Sequence, residues 1–158
     1  MAVLNVHERR LPVPPAVAGA LLDGLASEND RLWPQEKWPA MRFDRPLAPG
    51  AVGGHGPIRY EVAHYVPGRW VRFAFTGPAG FDGFHEFTVQ GDADGSILRH
   101  TLAMRTRGPA RWSWPLLFRP LHDALIEDGL AKALAEVGGG AAPVRWTPIV
   151  RGLRRLVG

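Results

Sequence analysis

Cysteine is absent from this chain of 158 residues. That excludes disulfides, thiolate nucleophiles and cysteine metal ligands. No apolar run approaches the ~18–20 residues of a membrane span. The opening "MAVLNVHERR" carries charges where a secretory leader needs an apolar core. P-loop, dinucleotide-fingerprint and GxSxG motifs are also missing, so no cofactor is expected. These absences lead to the expectation of a soluble cytoplasmic protein.

The net charge of +4 is unevenly placed. Fifteen acidic and fifteen basic residues balance one another over residues 1–138. The surplus comes from Arg145, Arg151, Arg154 and Arg155. A basic tail on a neutral body does not read as a nucleic-acid-binding domain. Apolar residues make up 46% of the chain, enough for a proper core, and the length suits one domain. The expected division is a folded domain over 1–138 and an appended tail over 139–158.

Residues 2–10 read as a strand in which Leu4 and Val6 alternate with Asn5 and His7. Pro14 and Pro15 suit the first turn of a helix that carries Val17, Leu21, Leu22 and Leu25 on one face. Residues 27–57 read as a short helix or irregular segment near 28–38 followed by a loop. Four alternating strands are expected over 57–66, 69–76, 84–90 and 96–106, with a turn at Pro67-Gly68. A long helix is expected over 112–137, with Pro120 kinking it or marking its true first turn, and Gly138 to Gly140 ending it.

The stretch "GFHEFTVQGDADGSILRHTLAM" (83–104) places His85 and His100 at positions where alternation asks for apolar residues. Pairing must keep both apolar sets on one face. This sets Val89 opposite Leu98, Phe87 opposite His100 and His85 opposite Leu102, with the two histidines diagonal neighbours. His64 is expected on the same face, opposite Val71 and too far away to join them. A metal site on this pair needs a third convergent ligand. Glu86 points to the other face, and His55 and His122 could converge only through loop or helix placement, so no metal is expected here. An inward histidine is commonly a core group with its hydrogen bonds satisfied. In an open cavity it would anchor a ligand's hydroxyl or carbonyl, or move a proton.

The segments "GPIRYEVAHYVPGRWVRFAFTG", "GFHEFTV", "GSILRHTLAMR" and "WPLLFRPLHDALIEDGLAKAL" together resemble the START-related polyketide cyclase/dehydrase (SRPBCC) superfamily, most closely its small bacterial members. The likeness covers about residues 3–137. It implies an α+β helix-grip fold, a curved antiparallel sheet wrapped around a long C-terminal helix, with a hydrophobic cavity between them. Family pockets take apolar or amphipathic small molecules, some members being cyclases or dehydratases and many only binding. No cyclase's catalytic set maps onto this chain residue by residue.

The candidate ligand contacts are Tyr60, His64, Phe73, Phe75, His85, Phe87, His100, Leu102, Met104, His122, Leu125 and Gly129. Core packing is the competing reading for at least half of Phe73, Phe75 and Phe87. Gly129, mid-helix, makes room for a ligand or for close contact with the sheet. Asp123, next to His122, is expected to point elsewhere. Segments 76–83 and 107–114 are candidate lids, and Trp112 and Trp114 would line the entrance or anchor the helix.

The tail reads as a helix from Pro148, capped by Thr147, with Ile149, Leu153, Leu156 and Val157 on one side and Arg151, Arg154 and Arg155 on the other. Its expected partners are its own domain, a dimer mate or an anionic membrane surface. Three functions remain open at this point. The first is binding of a small hydrophobic molecule. The second is a cyclase or dehydratase using His85 or His100 as acid and base. The third is an accessory protein docking through its tail.

Overall fold

A computed structural model of the chain describes residues 1–140 and 144–157. The side chains of Leu156 and Val157 lie outside the described residues. The strands are β1 (Ala2–Leu11), β2 (Arg42–Phe43), β3 (Val52–His55), β4 (Ile58–Val66), β5 (Trp70–Gly77), β6 (Phe81–Asp92) and β7 (Gly95–Thr106). They form one curved antiparallel sheet in the order β1-β7-β6-β5-β4-β3-β2. Helix α1 spans Pro15–Asp23 and α2 Ala110–Ser113. A π-helical turn over Trp114–Phe118 leads into α3, Arg119–Glu136, and α4 spans Pro148–Val157. No helix among the described residues is long and apolar enough to cross a membrane.

The β6–β7 hairpin has the expected register, with His85 facing Leu102 and Phe87 facing His100. β6 runs longer than the expected 84–90 because its pairing spans Phe81 to Asp92, while β7 matches the expected 96–106 to within one residue. Pro120 is the second residue of α3, directly after the π-helical turn. Of the two readings for 28–38 the irregular segment is the one found, whereas the loop expected after it contains the short strands β2 and β3, which extend the sheet.

Helix α1 closes one end of the sheet. Gly19 meets the β4–β5 turn so closely that a Cβ would lie 2.4 Å from the Gly68 carbonyl oxygen. Asp23 secures the contact by accepting the Gly68 N–H at 2.7 Å and the Tyr65 hydroxyl at 2.8 Å. Leu11, Leu21, Leu22 and Leu98 are fully buried in the apolar cluster between the sheet and the helices. Burial of each such side chain stabilises the fold by about 1.5–3 kcal/mol.

Two strands depart from simple alternation. In β4 the register slips between Val62 and His64, so His64 pairs with Arg72 rather than Val71. The bulge turns Tyr65 inward and sends His64 and Val66 to the outer face. In β1 the polar set faces inward: Asn5, His7 and Arg9 are half-buried, while Leu4 is 72% exposed.

The segment before β2 is fixed to α3 by charge. The buried Asp30 accepts backbone N–H groups from Ala26, Leu32 and Trp33. Lys132 reaches the carbonyls of Asp30 and Trp33. Gly129 lets this segment come close, since a Cβ there would stand 3.2 Å from the Leu32 oxygen. The glycine thus serves a loop contact, rather than the sheet contact or ligand space expected.

Candidate functional site: a cavity beside a histidine chain

Between the sheet and α3 lies a partly open cavity of about 340 Å³ whose wall is almost wholly apolar. The strands contribute Phe75, Phe81, His85, His100 and Leu102. The helical side contributes Trp114, Leu117, Phe118, Leu121, His122, Leu125 and Ile126. Trp33, Trp38 and Pro39 come from the segment held to α3, and His55 and Ile58 from the β3–β4 turn.

Apart from the indoles of Trp33, Trp38 and Trp114, the polar side chains on this wall are imidazoles. His85 is 4% exposed and His100 fully buried. His100 Nε2 lies 3.3 Å from His85 Nδ1, and one ring nitrogen of each, His85 Nε2 and His100 Nδ1, is buried without a partner. In a neutral pair one of the bonded nitrogens is the donor, so the two free nitrogens are always one donor and one acceptor. Burial pushes both pKa values well below the usual imidazole value, aided by neighbouring histidines. His55 Nδ1 and Tyr60 Oη lie 3.0 Å apart. Burial takes His55 down to about 3 and raises the Tyr60 hydroxyl.

His122 joins this group from α3, its ring 5.1 Å from that of His100, with Nε2 buried and unpaired. Its Nδ1 lies 3.4 Å from Asp123 Oδ1. Asp123 therefore does not point away as expected. Burial pushes its carboxyl up, but hydrogen bonds from His122, His7 and Asn5 outweigh this and hold it below the usual carboxylate range. Burial likewise depresses His122, with Asp123 opposing.

Of the twelve candidate contacts, Phe75, His85, His100, Leu102, His122 and Leu125 lie on the cavity wall. Tyr60, Phe73, Phe87 and Met104 are buried but do not line it. His64 is exposed and stacks on Trp70, because of the β4 bulge. Gly129 faces Leu32 and Pro34. Trp114 is buried on the wall, whereas Trp112 is 74% exposed. Trp33, Trp38 and His55 were not among the expected contacts, while Phe81 comes from the segment 76–83 expected at the mouth. Two tryptophans in a proline-rich stretch were the one available signal.

The tail packs on its own domain by unexpected groups. Val150 is buried and Ile149 exposed. The Arg154 guanidinium lies 4.7 Å from the Trp38 ring centre and 4.3 Å from that of Trp146, and it donates to the Lys37 carbonyl. Arg151 and Arg155 are exposed.

No family model matches the chain, and no curated protein matches it in sequence. Solved structures do match in shape. CalU16 from Micromonospora echinospora aligns over 98% of this chain and 83% of its own, with 14% identity and a TM-score of 0.62. A norcoclaurine synthase point mutant from Thalictrum flavum, in complex with a transition-state analogue, covers 88% of this chain and 98% of its own, at 13% identity and a TM-score of 0.64. Ara h 8.0201 covers 87% and 98%, at 16% identity and a TM-score of 0.60. The likeness is one of architecture: the chain has the α+β helix-grip fold that its sequence led one to expect.

Proposed function

We propose that the chain binds an apolar small molecule carrying a hydroxyl or carbonyl group, held between the sheet and α3. One observation carries this reading: a 340 Å³ apolar cavity lined by His85, His100 and His122, each of which keeps one buried ring nitrogen without a partner. The volume is within the range of small-molecule sites. It is about twice that of the ~150 Å³ apolar cavity that takes up benzene, so a ligand of about two rings fits. Apolar burial supplies the affinity. The donor and acceptor left by His85 and His100, together with His122 Nε2, give it direction.

The pKa shifts favour binding over acid–base catalysis. A general acid or base works best with a pKa near ambient pH. His85 and His100 are pushed well below that and stay neutral. They suit hydrogen-bonding anchors better than proton shuttles. Docking through the basic tail has less support, since Arg154 is engaged with Trp38 and Trp146.

Native mass spectrometry of gently purified protein tests the proposal, with the denatured chain as the reference. A reproducible added mass that vanishes on denaturation, and is missing from a Leu121→Trp variant, supports it. The bare 17.3 kDa chain under both conditions, even after incubation with 2-naphthol, counts against it.

A further inference from the structure

On the side of His122 away from its unpaired nitrogen, α3 meets the polar inner face of β1. His7 Nε2 lies 3.3 Å from Asp123 Oδ1, and His122 Nδ1 lies 3.4 Å from the same oxygen. One potential ligand atom from each of His7, His122 and Asp123 lies within 4.8 Å of the other two. We propose that these three side chains form a binding site for a first-row divalent cation, with Zn²⁺ as the best fit.

The spacing is the first argument. Zinc bound by nitrogen and carboxylate oxygen has bonds of ~2.0–2.1 Å, and a tetrahedron of that size has edges of about 3.3–3.4 Å. Both separations from Asp123 Oδ1 equal that edge. As hydrogen bonds they are long, since charge-assisted contacts between nitrogen and carboxylate run ~2.7–2.9 Å. The cluster is able to form short bonds, because His7 Nδ1 sits 2.7 Å from Glu127 Oε1. The two long separations are therefore not a general looseness. Both converge on Asp123 Oδ1, and one ligand atom from each of the three residues lies within 4.8 Å of the others.

The outer contacts are the second argument. A metal-bound histidine characteristically donates its other ring N–H to a carboxylate. The His7–Glu127 bond provides this, and Arg9 fixes Glu127 in turn through a 2.7 Å contact. Asn5 donates to Asp123 Oδ1 at 2.9 Å, while Arg119 Nε approaches the other oxygen at 3.7 Å. Three protein ligands leave a fourth position for water or an added ligand. Coordination through His122 Nδ1 would also fix its Nε2 as the N–H donor. The cation site stands whether or not the cavity binds a molecule.

Calorimetric titration of the chelator-treated full chain with Zn²⁺ alone tests this. Saturable 1:1 binding of micromolar or tighter affinity is expected. His7→Gln and Asp123→Asn should each weaken it at least about tenfold, and Glu127→Gln by about 10–100-fold. Because such variants could misfold, the unaltered chain gives a second readout. On adding Zn²⁺, the imidazole nitrogen resonances of His7 and His122 should shift while those of exposed His64 stay in place. Absent 1:1 binding, binding unaffected by His7→Gln and Asp123→Asn, or shifts confined to His64 would overturn the proposal. The cluster would then be an imidazolium held between two carboxylates.

Discussion

His100 Nε2 and His85 Nδ1 face each other at 3.3 Å across the β6–β7 ladder, inside a ring of aromatic side chains. Burial lowers both folded pKa values below the ~6.5 of an unfolded histidine. The stability from keeping these rings neutral is complete above about pH 6.5 and is lost as pH falls below it. The loss approaches about 1.4 kcal/mol per pH unit for each ring. His7, raised by its hydrogen bond with Asp123, adds stability as pH falls toward about 6.5 and nothing further below it, so it does not offset the loss between about pH 6.5 and pH 5. Urea unfolding at pH 7 and pH 5 should show lower stability at pH 5, and the His85→Phe/His100→Phe double variant should show a smaller drop, the remainder coming from His55 and His122, which burial also lowers.

Asp128 holds the tail and one cavity wall together. It is 2% exposed, and its Oδ2 accepts the indole N–H of Trp38 at 2.9 Å and that of Trp146 at 2.8 Å. Lys37 pairs with the other oxygen at 2.9 Å. Asp128→Ala leaves two indole donors without their acceptor and should cost about 2–4 kcal/mol in denaturant unfolding. Limited proteolysis should then cut near residues 144–157 sooner than in the unaltered chain.

His64 shows the reverse behaviour. Exposed and stacked on Trp70 at 5.1 Å between ring centres, it has no contact with the cavity. His64→Ala should change stability by no more than about 0.5 kcal/mol and leave 2-naphthol affinity unchanged, as measured by unfolding and calorimetry.

Leu121 stands on the cavity wall from α3. Leu121→Trp places an indole in the empty volume. It should abolish binding of a two-ring ligand while keeping or raising the melting temperature, as cavity filling commonly does. Calorimetry and a thermal melt on one sample check both effects.

The hairpin and both its inward histidines were legible because alternation over long strands permits one register only. His122 was legible by helical spacing from Leu125. The β4 bulge was not, since Ala63 and His64 carry no glycine or other local mark of a slip. Nor was the inward polar face of β1. Asn5, His7 and Arg9 face inward because Asp123 and Glu127 meet them from α3, more than a hundred residues along the chain. Leu4 and Val6, which look like core residues alone, are exposed in consequence. The wall formed by Trp33 and Trp38 depends on Asp30, Asp128 and Lys132, whose partners have no periodic signature.

The most direct test of the central claim is a calorimetric titration of the full chain with 2-naphthol and, in parallel, naphthalene. The account predicts saturable 1:1 binding of 2-naphthol, tighter than naphthalene by about three- to tenfold, the value of one satisfied hydrogen bond. Lack of saturable binding by either, or equal affinity for both, would contradict a cavity that recognises an apolar molecule through its histidines.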